Sequence, residues 1–266
     1  MKTLRLGNKI IITLLKDRLY YPAHLIAELL VSVARFGILV PIYWYVFQFN
    51  GGEINGIGFQ AAAWSMFFYA ILGTYNLKGI AREIERDIKV GSVEMLFSKP
   101  VSYLGYRMWW QLGRNLYSFL VLSTTGIVIL SLFIGFPSIG NLLLFITTFI
   151  VTLILGSILT LLFYAVFGLL AFWIEDIEPM RRIMDKLMMI LGGAFLPVAL
   201  FPNFMYAIVL YTPFGAAFFL THTVYPGWLT EWPLKLGIQA LWILILFLLV
   251  SWLFTLARER VSVNGG

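Results

Sequence analysis

Titratable side chains are densest between Lys78 and Arg107, in the stretch KGIAREIERDIKVGSVEMLFSKPVSYLGYR. Glu83, Glu85 and Asp87 alternate there with Arg82, Arg86 and Lys89. Carboxylates and cations interleaved in this way make charge-assisted hydrogen bonds, and the chemistry they point to is recognition of a partner protein. Bond-breaking chemistry has little support. No G-x-x-x-x-G-K-[ST] phosphate loop occurs, and Lys2 is the only lysine followed by Ser or Thr, so the chain is not expected to hydrolyse ATP alone. No H-E-x-x-H occurs, the only histidines are His24 and His222, and cysteine is absent. Disulfides and thiolate metal sites are therefore excluded, and no metal or cofactor is expected in this chain.

The elements that must carry these residues follow from periodicity. Leu77, Ile80, Ile84 and Ile88 recur at helical spacing and form one apolar stripe, with Arg82, Glu83, Arg86, Asp87 and Lys89 on the remaining surface. That is an amphipathic helix. Glu85 and Lys89 form an i,i+4 pair in the favourable order, Gly91 is placed to end the helix, and Ser92 can cap a further turn that Pro100 stops. Outside this stretch, Arg35 is the one charge well inside an apolar run. At about 1.5 Å per residue it lies roughly 9 to 15 Å deep, where a lone charge costs about 2.5 to 3.5 kcal/mol. It needs a partner or water, and Glu28, Ser32, Leu39 and Tyr43 share its face. A comparable stripe carries Arg107, Gln111, Arg114, Ser118 and Thr125, with Asn115 beside it. Arg35, Gln111, Asn115 and Ser118 are the candidates for lining a substrate path; interhelical hydrogen bonding is the other use for the last three.

Composition says where these elements sit. Of 266 residues, 61% are hydrophobic and 12% charged, against about 25% charged in soluble chains, and several apolar runs reach the roughly 20 residues that cross a bilayer. The chain is an integral membrane protein. Spans are expected from Leu25 or Leu29 to Phe49, Ile57 to Leu77, Met108 to Ile134, Asn141 to Trp173, from near Pro179 to Gly192-Gly193, and from Leu234 to Ala257. Residues 1–24 mix Arg5, Lys9, Lys16 and Arg18 with apolar positions, which suits a helix along the headgroups; no cleavable signal is expected. Lysines and arginines mark the cytoplasmic side. With six crossings both termini are cytoplasmic, Lys235 alone lies outside and Arg35 alone within a span. Residues 203–233, broken by Pro213, Gly215, Pro226 and Gly227, are then an external re-entrant segment packed against protein.

The pattern E-I-E-x-D-I-x-x-G-x-x-x-x-L-x-x-K-P-V-S-Y, present as Glu83-Ile84-Glu85 through Lys99-Pro100-Val101-Ser102-Tyr103, resembles the cytoplasmic loop of type-2 ABC exporter permeases. It is similar in particular to the small six-span bacterial permeases often encoded in pairs beside an ATPase. Gly193-Ala194-Phe195-Leu196-Pro197, Phe201-Pro202 and Tyr211-Thr212-Pro213-Phe214 extend the resemblance along nearly the whole chain. It implies an all-α permease domain over residues 1–266 in a bacterial inner membrane. Residues 78–107 would then form a cytoplasmic coupling loop that fits a groove on an ATPase subunit. Partners would be ABC ATPase subunits, which bind the ATP and Mg, a second permease and the bilayer, with no nucleic acid. Glu83, Glu85, Arg86, Asp87 and Gly91 would couple, with Leu96 and Pro100 shaping the turn. The substrate, possible hydrophobic drugs or lipids among small molecules, is not legible. A self-sufficient carrier or channel is the alternative, weakened because Arg35 is its only mid-membrane ionisable candidate; a membrane scaffold is a third.

Overall fold

The computed structural model describes residues 2–19, 22–97, 102–137, 139–174 and 176–264. Twelve α-helices account for most of them. Helix α1 covers Lys2–Leu19, α2 Pro22–Phe49, α3 Phe59–Tyr75, α4 Ile80–Lys89, α5 Ser92–Phe97 and α6 Tyr103–Arg114. They are followed by α7 Leu116–Phe133, α8 Leu142–Leu170, α9 Glu178–Leu191, α10 Asn203–Tyr211, α11 Pro213–Ala216 and α12 Trp228–Asn264. Short 3₁₀ turns at Leu77–Gly79, Val198–Leu200 and Phe219–Val224 join some of them.

Among the described residues, four segments are long and apolar enough to cross a membrane: Leu29–Phe49, Tyr103–Phe133, Leu142–Leu170 and Trp228–Arg260. The other two expected spans are shorter helices, the 17 residues of α3 and the 14 of α9. Exposure follows the pattern of a membrane protein. Large apolar side chains such as Ile150, Ile154 and Ile158 of α8 and Leu241, Leu244 and Leu248 of α12 point outward, which a water-soluble chain would avoid on this scale.

Two boundaries differ from the sequence expectation. The third expected span begins at Tyr103, not Met108, and breaks at Asn115, whose backbone (φ −114°, ψ 7°) leaves the helical region between α6 and α7. The last helix begins at Trp228, not Leu234, and runs through Pro233. That proline costs one helical hydrogen bond, near the exposed Leu229. The link between α2 and α3 is a hairpin, Glu53–Ile54 against Ile57–Gly58. Its turn residues Asn55 (φ 53°) and Gly56 (φ 72°) both have positive φ, the requirement of a type I′ turn.

The core forms around α8, which packs along α12, α4 and the buried turn Phe219–Val224; α3 covers the other side of that turn. Between α9 and α12 the chain is broken into α10, α11 and this turn, and the carbonyls freed at the breaks are met by α12. Gln239 Nε2 donates to Ala216 O at 2.8 Å and Trp242 Nε1 to Tyr211 O at 3.0 Å. Irregular backbone inside an apolar bundle is tolerated only with such partners.

Close approach makes this possible. A Cβ built at Gly156, in the middle of α8, would lie 2.6 Å from Ala217 O. Gly156→Leu is therefore expected to cost about 1–3 kcal/mol and to lower the melting temperature of the purified protein. Gly37→Ala in α2, where an added Cβ meets nothing within 4 Å, is expected to leave the melting temperature unchanged or slightly higher.

Candidate functional site

Helix α4 is short, yet it meets four other elements. Its apolar stripe is buried as expected: Leu77, Ile80 and Ile84 are inaccessible and Ile88 packs against the core. The stripe lies on the end of α8 at Gly168, where a Cβ would come within 3.0 Å of Ile84 Cβ and 3.1 Å of Ala81 Cα. Glycine at that position lets the two helices touch at backbone distance.

The acids of α4 are the departure from the sequence reading. Glu83, Glu85 and Asp87, expected on the open surface, are all buried, Asp87 to 3% exposure. The reason is the helix opposite. Arg107 and Arg114 stand two turns apart on α6 and face Glu83 and Asp87, which are one turn apart on α4. Asp87 accepts from Arg107 Nε at 2.6 Å and from a second guanidinium nitrogen of Arg107, forming a bidentate pair. It also accepts from Tyr103 Oη at 2.8 Å and Ser92 Oγ at 3.2 Å. Glu83 is shared by Arg86 at 2.5 Å, by Arg107 at 3.6 Å and by Arg114. Glu85 pairs with Lys89 at 2.7 Å, the i,i+4 pair read from spacing.

A second network ties α4 to α9. Arg82 reaches Glu178 at 3.5 Å, Lys78 reaches Asp185 at 3.7 Å and Lys89 reaches Asp176 at 4.0 Å. Behind them Arg181, buried on α9, binds both Glu178 (2.7 Å) and Asp185 (2.5 Å), and Tyr164 of α8 donates to Asp185 at 2.5 Å. Sequence reading missed Arg181, Asp185 and Tyr164; the i,i+3 and i,i+4 spacing of Glu178, Arg181 and Asp185 was the available signal. Glu178 is held by Arg181 first and also by Arg182, and its carboxyl is pushed down from the ordinary 4.5 to about 2.

What α4 leaves open is cationic and apolar. Arg86 is 63% exposed on its side chain, Arg82 and Lys89 are exposed beside it, and Val90 and Met95 follow. Gly91 (φ +74°), with open space around it, ends the helix in the left-handed conformation that favours glycine. Leu96 is half-buried against the core. Pro100 lies outside the described residues.

The proposed path residues separate into two groups. Gln111, Asn115 and Ser118 are buried together on α6 and α7, where two of them serve the end of α3. Gln111 Nε2 donates to Asn76 O at 2.6 Å and Asn115 Nδ2 to Tyr75 O at 3.3 Å, supplying carbonyls that a helix C-terminus leaves without donors. Arg35, with Glu28 and Ser32, is on α2, and its side chain lies outside the described residues. Two apolar cavities flank this region without including the buried amides. One of about 340 Å³ lies between α2, α3 and α7, lined by Phe36, Phe67 and Ile129; another of about 960 Å³ lies between α6–α7, α8 and α12, lined by Trp109, Ile158 and Phe247. Helix α1 braces α6 from outside: Gly7 sits against the Trp109 ring, and Gly113 sits against Leu14 and Ile11.

Asp87→Asn leaves the buried Arg107 guanidinium with Glu83, at 3.6 Å, in place of its bidentate partner and is expected to destabilise the fold by about 3 kcal/mol, against less than about 1 kcal/mol for Lys89→Ala at the surface. Thermal unfolding of the purified variants measures both. The Glu178 pairing makes stability depend on pH. Its folded-state value is depressed, so its stabilisation is complete above 4.5 and is lost as pH falls towards 2. Melting temperature is expected to drop through that window, and to drop less in Glu178→Gln.

A sequence model of the family described as "ABC-2 family transporter protein" matches residues 36–265. No curated protein matches the chain.

Proposed function

Because the chain belongs to the ABC-2 family of transporter proteins, we propose that it is the membrane-spanning permease subunit of an exporter driven by a separate ATPase that docks on α4. ATP and Mg are then held by the partner. A second permease, a copy of this chain or a related one, completes the pathway. Six crossings are made by α2, α3, α6–α7, α8, α9 and α12 in a bacterial inner membrane. The distribution of lysine and arginine supports a cytoplasmic position for α4 and both termini.

The observation that carries this reading is how α4 is held. It is bonded to α6 through Glu83 and Asp87, to α9 through Arg82, with Lys78 of the turn before it paired to α9 as well, and it touches α8 at Gly168, so a push on α4 is delivered to several spanning elements as one body. Glu83, Glu85 and Asp87 are therefore positioning residues. Arg82, Arg86, Lys89, Val90 and Gly91 form the face that meets the ATPase, and Leu96 and Pro100 shape the turn behind it. The substrate path passes Arg35, while Gln111 and Asn115 hold α3 to α6–α7, with Ser118 buried beside them. Cavities with almost wholly apolar linings support a hydrophobic drug, a lipid or another small apolar molecule as cargo.

Charge reversal at the exposed face tests the assignment. Arg82→Glu/Arg86→Glu is expected to weaken retention of the ATPase several-fold on co-purification and to uncouple ATP hydrolysis from transport; because it also sets like charges against Glu178 and Glu83, retention is compared with that of Glu178→Gln, which loosens α4 from α9 without altering the exposed face and is expected to retain the ATPase. Unaltered retention and unaltered transport would remove α4 from the interface. Transport in vesicles that contain neither ATP nor the ATPase would instead establish a self-sufficient carrier or channel.

A further inference from the structure

Several of the most deeply buried polar side chains lie far from α4, on the seam where the turn Phe219–Val224 meets α8 and α12. His222 is 1% exposed, and neither ring nitrogen has a protein hydrogen-bond partner among the described residues. Burial, and then the Lys235 ammonium, push its pKa well below the ordinary value, so the ring is neutral and presents one donor and one acceptor. Thr152 Oγ1 and Gln239 Oε1 are also buried without a partner. Lys235 is buried too, with its ammonium 2.5 Å from Glu231 Oε2 and 5.7 Å from the Trp228 ring centroid.

Register brings these groups together. Helices α8 and α12 share two fixed points: Trp228 Nε1 donates to Thr148 Oγ1 at 2.9 Å, and a Cβ on Gly156 would be 3.5 Å from Gln239 Nε2. Thr152 lies one turn from each of Thr148 and Gly156 on the same face of α8, which sets it between the levels of Trp228 and Gln239 on α12, the stretch that carries Lys235. The rings of Tyr206, Phe219 and Tyr225 surround His222, with centroids 6.3, 5.2 and 5.4 Å away. Tyr225 Oη is occupied by Ser65 Oγ at 2.6 Å, and Tyr206 Oη lies 3.5 Å from Glu231. None of these neighbours answers the imidazole.

Leaving a buried polar atom unanswered costs about 1–3 kcal/mol, so each of the four such atoms along this seam calls for a partner. Internal water is the ordinary answer at sites with several polar groups in reach. A cavity of about 400 Å³ lies beside the seam, lined by Asn141, Thr223, Tyr225 and Trp228; the Tyr225 ring neighbours His222 and the Trp228 ring neighbours Lys235. We infer that His222, Thr152, Lys235 and Gln239 form an internal binding site for ordered water, which satisfies the irregular Phe219–Val224 turn inside the bundle. The site is independent of the docking reading for α4.

Synchrotron hydroxyl-radical labelling of the full chain in nanodiscs tests this, because radicals generated from bound water modify side chains that bulk solvent does not reach. After correction for intrinsic reactivity, His222 is expected to be labelled several-fold faster than Phe219, which is equally buried beside it. Thr152→Val supplies a second readout. If water answers Thr152, valine removes a hydrogen bond and lowers the melting temperature; if the hydroxyl is dry, valine relieves an orphan and raises it or leaves it unchanged. Equal protection of His222 and Phe219, or a Thr152→Val chain that melts no lower than the parent, overturns the inference.

Discussion

A helix that stops inside an apolar bundle leaves its last carbonyls without donors, and among the described residues several helix ends are answered by a side chain from another element. The end of α3 receives Gln111 and Asn115. The end of α7 receives Gln60 at Ile134 O and Trp64 at Gly135 O. The ends of α10 and α11 receive Trp242 and Gln239. The turn after α9 receives Tyr43 at Phe195 O. With little water available at such depth, an unanswered carbonyl would cost several kcal/mol. The few polar residues on the apolar helices are therefore largely spent on holding broken backbone in place.

The same economy governs charge. Buried Asp87 and Arg107 cost desolvation and return little net stability, but removing either partner exposes that whole cost, so the pair specifies one arrangement of α4 on α6. The Glu178–Arg181–Asp185 group does the same between α9, α8 and α4. A short helix fixed on two sides by charge and on a third by the contact at Gly168 moves with its neighbours or not at all.

Much of this was legible in residue order. Apolar runs located four long helices, the Leu77–Ile88 stripe located α4, and Gly91 located its end. The Asn55-Gly56 hairpin was also legible and was passed over, since Asn-Gly flanked by isoleucines is a strong turn signal. The break at Asn115 was not: Gln111, Gly113, Arg114 and Asn115 interrupt the apolar pattern there but read equally well as the polar face of one continuous helix, and the partner of Asn115 Nδ2, Tyr75 O, lies 40 residues away in sequence.

By itself the sequence determined membrane residence, helix placement and family, because hydrophobic length, periodicity and motif spacing are properties of neighbouring residues. Tertiary structure decided which charges face outward. Glu83, Arg86 and Asp87 are indistinguishable on a helical wheel as polar residues off the apolar stripe, yet two are buried and one is open. The difference is that α6 brings Arg107 and Arg114 against one flank of α4, and the packing of α6 on α4 is a contact between residues 20 to 31 positions apart. Periodicity reports that a residue is off the core stripe; only the identity of the opposing helix says whether it meets water or an arginine.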